Sequence, residues 1–213
     1  MTTFTDVGSQ EKTDSDMKIL FEVPHGNNVL GKCSPDKRFR EYLYGREMVP
    51  KIVAELRRRG YDAENLVPEL YEPGLEERVH RVNVKCQTYG KDNCIFISFH
   101  VNAAKNGEWS NARGWSCFTT KGKTKADDLA ECLYDAAEEA FPGQTIRTDK
   151  SDGDRDWEKA FYVCRHTLCP AVLVENFFMD NKQDLAFLES EEGKQAIIKC
   201  IVNGVIKYVD SRR

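Results

Sequence analysis

Three residues able to do chemistry stand at the ends of apolar runs. KILFEV (18–23) leads into Pro24-His25-Gly26-Asn27, CIFISF (94–99) leads into His100-Val101-Asn102-Ala103, and AVLVE (171–175) ends on Glu175. Short continuous apolar runs mark strands covered on both faces, and open α/β sheets bind ligands beyond the carboxyl ends of their strands. Two imidazoles and a carboxylate converging there match the donor set of catalytic zinc, which takes three protein ligands and leaves a position for water. A lone histidine at a strand end is more often a hydrogen-bonded structural residue. The argument therefore rests on the coincidence: the chain has 4 histidines, and two of them follow its two best strands. A competing donor group is Cys164, His166 and Cys169, in Cys-x-His-x-x-Cys spacing. A structural zinc site needs a fourth ligand at matching spacing. None lies nearby, which favours two buried or half-buried thiols ahead of the Glu175 strand.

The elements that must position these residues follow from periodicity. Met48, Val49, Ile52, Val53 and Leu56 fall at helical spacing and are closed by Gly60. Leu75, Val79, Val82 and Cys86 mark a second helix, and Leu129, Cys132, Leu133, Ala136 and Ala137 a third, stopped at Phe141-Pro142-Gly143. GWSCFTT (114–120) reads as a further strand, and Ile198, Ile201, Val202, Val205 and Ile206 form a closing amphipathic helix. Pro50 lies inside the first helical pattern, where it lacks a donor and clashes with the preceding turn. The pattern therefore favours a regular helix that begins near Met48 with Pro50 in its first turn over a helix kinked at Pro50. Alternating strands and helices predict a single three-layer α/β domain, a twisted and mostly parallel sheet with helices on both faces. Residues 1–16 are polar and aperiodic and read as a flexible tail, leaving 17–213 as the folded domain.

Composition removes several function classes. The 213 residues are 40% hydrophobic, enough for a real core, and 31 Lys+Arg against 35 Asp+Glu give a net charge of −4. That balance lacks the basic excess from which nucleic-acid binders gain affinity. No apolar run approaches the ~20 residues of a membrane-spanning helix, so neither nucleic acid nor membrane is expected as a partner. The 8 cysteines are read as free thiols: the chain is too long to need disulfide staples, and Cys94, Cys132 and Cys200 sit within apolar periodic segments as small core hydrophobes. The N-terminus shows no basic segment followed by an apolar one, so no secretory signal is readable and residence in the cytoplasm on synthesis is expected.

Taken with these residues, the chain resembles the zinc-dependent N-acetylmuramoyl-L-alanine amidase family of the amidase-3 type, enzymes that cut peptidoglycan. Glu22-Val23-Pro24-His25-Gly26 corresponds to the family's opening strand and His-Gly pair, Ser98-Phe99-His100-Val101-Asn102-Ala103 to its Ser-x-His-x-Asn-Ala, and Pro170-Ala171-Val172-Leu173-Val174-Glu175 to the stretch ending on its catalytic glutamate. Leu75, Arg78 and Asn83 follow its Leu-x-x-Arg-x-x-x-x-Asn pattern. The likeness runs from about Lys18 to Tyr208. Two departures stand out. Glu22, Val23, Pro24 and Asn27 differ from the usual Asp-Pro-Gly-His-Gly-Gly opening, and Phe177 stands where the family prefers Gly, which bears on the shape of the substrate groove.

The resemblance implies His25, a glutamate and His100 as zinc ligands. Both Glu41 and Glu47 lie in the right region; the family spacing, about nineteen residues before the helix-ending glycine, reaches Glu41 from Gly60. Glu47 in a first helical turn would have a structural explanation of its own. One Zn²⁺ per chain would lower the pKa of bound water from 15.7 towards ~7, with Glu175 as the proton shuttle. The implied substrate is the amide between N-acetylmuramic acid and L-alanine of the stem peptide, with Asn102, Arg165 and His166 as weaker substrate contacts and peptidoglycan or muropeptides as the partner of a monomer. A phage or prophage lysis enzyme (an endolysin), released when the membrane is breached, fits a wall-cutting chain with no readable leader. Two alternatives stay open: a zinc hydrolase of the same fold acting on small peptides or N-acyl amino acids, and a peptidoglycan-binding protein that does not cleave.

Overall fold

The apolar runs do form the centre of a sheet. In the computed structural model, which describes residues 17–213, β1 (Lys18–Glu22), β3 (Cys94–Asn102) and β6 (Ala171–Phe178) lie side by side and parallel. The tail expected over residues 1–16 lies outside the described residues. Outside this trio, β2 (Asp62–Asn65) pairs parallel with β1, β4 (Ser116–Thr119) runs antiparallel to β6, and β5 (Trp157–Glu158) closes the far edge, giving the order β2-β1-β3-β6-β4-β5. The short polar edge strands β2 and β5 carry no continuous apolar run, which is why periodicity alone does not find them.

Helices cover both faces, as expected. One face packs on α1 (Glu41–Arg58), α3 (Lys125–Ala140), α5 (Lys182–Glu189) and α6 (Glu191–Asp210), through a core that includes Phe21, Ile97, Val174, Ile52, Leu133 and Ile201. The other face packs on α2 (Leu75–Tyr89) and the short α4 (Tyr162–His166), through Leu20, Phe96, Leu173, Val82 and Val163. Because strand side chains alternate between faces, each strand feeds both cores.

The start of α1 differs from the expectation. The helix begins at Glu41 rather than near Met48, so Pro50 stands in its interior, with its ring exposed. Glu41 itself occupies the first turn, where a carboxylate gains from the helix dipole, and Glu47 lies mid-helix, held by Lys51 at 2.9 Å and Lys194 at 2.7 Å. The start is fixed by the preceding loop: Cys33 bridges to Arg40, and the Glu41 N–H donates to the Lys32 carbonyl at 3.1 Å. Gly26 is also structurally required, since a Cβ there would meet the Glu72 nitrogen at 2.1 Å.

Candidate metal centre

On the α2/α4 face, the strands change character toward their carboxyl ends. Leu20 is followed on that face by Glu22, Phe96 by Ser98 and His100, and Leu173 by Glu175. In register, His100 of β3 lies beside Glu175 of β6, and Ser116 of β4 lies on the far side of Glu175. The pairing slips between His100 and Asn102, an irregularity of the kind that re-aims side chains beside active sites. The Asn176 amide holds the displaced backbone by donating to the His100 carbonyl at 3.0 Å.

His25 enters from the turn after β1, with φ 43, a left-handed conformation that costs a non-glycine residue of order 1–3 kcal/mol and must be imposed from outside. Two arginines impose it. Arg46 donates to the carbonyls of His25 at 2.9 Å and Pro24 at 3.2 Å, while Arg78 donates to the Val23 carbonyl at 2.8 Å. Arg78 also pairs with Glu22 at 2.8 Å, and Ser98 donates to the other Glu22 oxygen at 2.5 Å. This buried network lies next to the histidine turn and leaves no charge of Glu22 unmatched.

Glu41 reaches both imidazoles. Its carboxylate lies 3.4 Å from His25 Nε2 and 3.1 Å from His100 Nδ1, and accepts the Val101 N–H at 3.0 Å. The two rings are nearly perpendicular, with centroids 5.2 Å apart. One donor atom from each of the three residues lies within 4.8 Å of the others, a grouping able to hold a metal ion. Two neutral nitrogens and one carboxylate oxygen are a donor set that zinc accepts.

Without a metal, Glu41 treats the two imidazoles differently. Burial lowers the His25 pKa to about 4 against the pull of Glu41, so its ring is neutral and free to ligate near neutral pH. Burial works the same way on His100, but the hydrogen bond and charge of Glu41 outweigh it and the pKa is raised. Glu41 is lowered: burial would raise it, but the bonds and charges of His100 and His25 prevail. Glu175 has no such partner. Its Oε2 is buried without a hydrogen bond, and burial raises its pKa to about 8. A carboxyl oxygen left unpaired beside a cluster able to hold a metal suits proton transfer.

The comparisons with known proteins point the same way. The sequence profile of the N-acetylmuramoyl-L-alanine amidase family, Amidase_3, matches residues 19–207. The chain belongs to this family. Among its relatives are an endolysin of Bacillus phage SPP1, 24% identical over 119 residues, covering 56% of this chain and 41% of the relative, and the probable cell wall amidase LytH of Staphylococcus epidermidis, 26% identical over 152 residues, covering 70% and 48%. The matches thus span less than half the length of these relatives. An N-acetylmuramoyl-L-alanine amidase from Clostridium difficile 630 superposes with a TM-score of 0.78 at 21% identity, over 94% of this chain and all of that one. At that identity the likeness establishes the fold.

Other sequence expectations are redistributed within this amidase fold. A pocket of about 240 Å³ is lined by His25, His100, Glu175, Arg78, Lys32 and Tyr162, among others. Asn102, Arg165 and His166 are not among its lining residues. The Asn102 side chain accepts the Ala103 N–H at 2.8 Å, and His166 stacks on Tyr162 with centroids 4.2 Å apart. Arg165 instead lines a cavity of about 520 Å³ with Cys164, Cys169 and Lys91, at the amino ends of β3 and β6. The physical reason is that α4 is only five residues long and turns Tyr162, not Arg165, to the pocket. The Cys164, His166, Cys169 group does not converge on a metal, and all eight cysteines are unpaired.

Phe177 is a further correction. It takes φ 64, the left-handed region in which the family's Gly is unstrained, but its ring is fully buried against Phe141 at 5.0 Å and Phe187 at 4.9 Å. It packs on the core side and is not among the residues lining the pocket. Asn83, the last residue of the Leu-x-x-Arg pattern, accepts the Leu168 N–H and donates to the His166 carbonyl, both at 2.9 Å, and so fastens the end of α4. Sequence reasoning missed Glu22, Ser98 and Ser116 as members of the polar row. The period-two reading of β1, β3 and β4 carries the signal for them.

Proposed function

We propose that this amidase uses His25, Glu41 and His100 to hold one zinc ion and Glu175 to move protons, and that it hydrolyses the amide between N-acetylmuramic acid and L-alanine of the peptidoglycan stem peptide. The observation that carries the reading is the convergence of two imidazoles and a buried carboxylate beside a second carboxyl whose Oε2 is buried without a hydrogen bond. Zinc bound there supplies Lewis acidity, acidifying a water and polarising the scissile carbonyl. Glu175 takes the proton of the attacking water and delivers it to the departing alanine nitrogen, a role typically worth ~10²–10⁴ in rate. Burial places its pKa, about 8 in the metal-free protein, near the pH at which such a carrier works in both directions. His25 and Glu41 are held by Arg46, the Val101 N–H and the loop ending at Lys32, so the donors are set before metal arrives.

The likeness to a phage endolysin supports a lytic role on the cell wall, with peptidoglycan as the partner. No helix among the described residues is long and apolar enough to cross a membrane. The test is mass spectrometry of peptidoglycan digests. The proposal requires stem peptides with a free amino-terminal alanine and glycan bearing a free lactyl carboxylate, abolished by a chelator and restored by zinc. Cleavage within the glycan or within the peptide would contradict it.

A further inference from the structure

The pocket contains two cations in very different states. Arg78 is saturated: its guanidinium pairs with Glu22 and Glu72 and donates to the carbonyls of Val23 and Pro73. Lys32 lines the same pocket, is exposed, and its ammonium has neither a hydrogen bond nor an ion pair among the described residues. Its backbone is nonetheless fixed. The Lys32 carbonyl accepts the N–H of Glu41 at 3.1 Å, and the next residue, Cys33, bridges to Arg40. A rigid base beside a proposed metal ligand thus carries a flexible charged arm into the pocket. The Lys32 charge acts on both His25 and Glu175, the two sides of the reaction centre.

Such a cation is matched by an anion on the substrate. The amide to be cut is neutral, and the lactyl carboxyl is consumed in it, so a carboxylate near the scissile bond must come from the peptide. We propose that Lys32 determines specificity by pairing with a free α-carboxylate on the second stem residue, so that muramoyl peptides with an unamidated glutamate are the preferred substrate class. This rests on the amidase reading above. Lys32 binds substrate through an exposed, charge-assisted contact, which is weaker than a buried pair and is screened by salt.

The test uses the zinc-loaded protein and two sets of soluble glycan fragments whose stem peptides differ only in that carboxylate or its carboxamide. The native protein should show the lower KM on the carboxylate form, with the advantage shrinking at high salt. Lys32→Gln should raise KM on that form about 2–5-fold, with kcat and zinc content unchanged and no effect on the carboxamide form. Lys32→Arg should keep the preference. Equal effects on both substrates, a fall in kcat alone, or no effect would overturn the assignment to a carboxylate. Native protein that cuts neither substrate would overturn the amidase reading itself, and this proposal with it.

Discussion

On the face covered by α1, α3 and α6, the central strands are apolar through Ile19 and Phe21, Ile95, Ile97, Phe99 and Val101, and Val172 and Val174, until Asn176 near the end of β6. On the face covered by α2 and α4, the same strands begin apolar and finish as Glu22, Ser98, His100 and Glu175. A shift of one residue along a strand therefore separates groups that stabilise the protein from groups proposed to do its chemistry. The second face matches Glu22 with Arg78 and Ser98 but leaves Glu175 Oε2 and its neighbour Ser116 Oγ without a partner, and of the two only the carboxyl is a carrier of protons near neutral pH.

The sharpest division should appear between ligands and their neighbours. Glu41→Ala and His100→Ala should each lose most bound zinc and bring turnover to background, while Glu47→Ala, whose carboxylate pairs with Lys194 and Lys51, should retain one zinc per chain by metal analysis. Next in size is Arg78→Leu, which leaves Glu22 as an uncompensated buried charge and should cost about 3–5 kcal/mol in denaturant unfolding. Adding Glu22→Gln should recover part of that loss. On the apolar face, Ile97→Val should cost about 0.5–1.5 kcal/mol with zinc content and KM unchanged. A change in zinc binding from Ile97 would erase the distinction between the faces.

A smaller effect concerns pH. In the metal-free protein, Glu175 has a folded pKa of about 8, above its ordinary 4.5. The folded state then keeps a proton that the unfolded chain has released. Its contribution is present in full below the ordinary carboxylate range and is lost as pH rises through about 8. Metal-free wild type should therefore lose more thermal stability between pH 6 and 9 than metal-free Glu175→Gln. Parallel pH profiles would contradict the raised pKa.

Much of the site was legible because it sits where apolar runs stop. His25, His100 and Glu175 were readable for that reason, and the central strands with them. The first helix was misplaced because Pro50 was weighed as a helix signal, whereas the start is set by the Lys32–Glu41 contact across a loop, which leaves no periodic trace. Glu41 was reached through family spacing; its burial at the helix start, between two imidazoles, is a tertiary fact. Arg165 and His166 fall outside the pocket lining, a placement that a helix as short as Tyr162–His166 does not reveal in sequence. Lys32 lies in an aperiodic loop, and only its place in the pocket distinguishes it from other exposed lysines.

The central claim is that metal holding and proton transfer belong to different carboxylates, Glu41 and Glu175. Measuring zinc content and muropeptide turnover together on Glu175→Gln tests it most directly. That variant keeps the side-chain size and one oxygen but cannot accept a proton. The predicted result is about one zinc per chain with turnover reduced ~10²–10⁴-fold. Loss of zinc would make Glu175 a ligand, and unchanged turnover would place the base elsewhere; either result contradicts the division of roles.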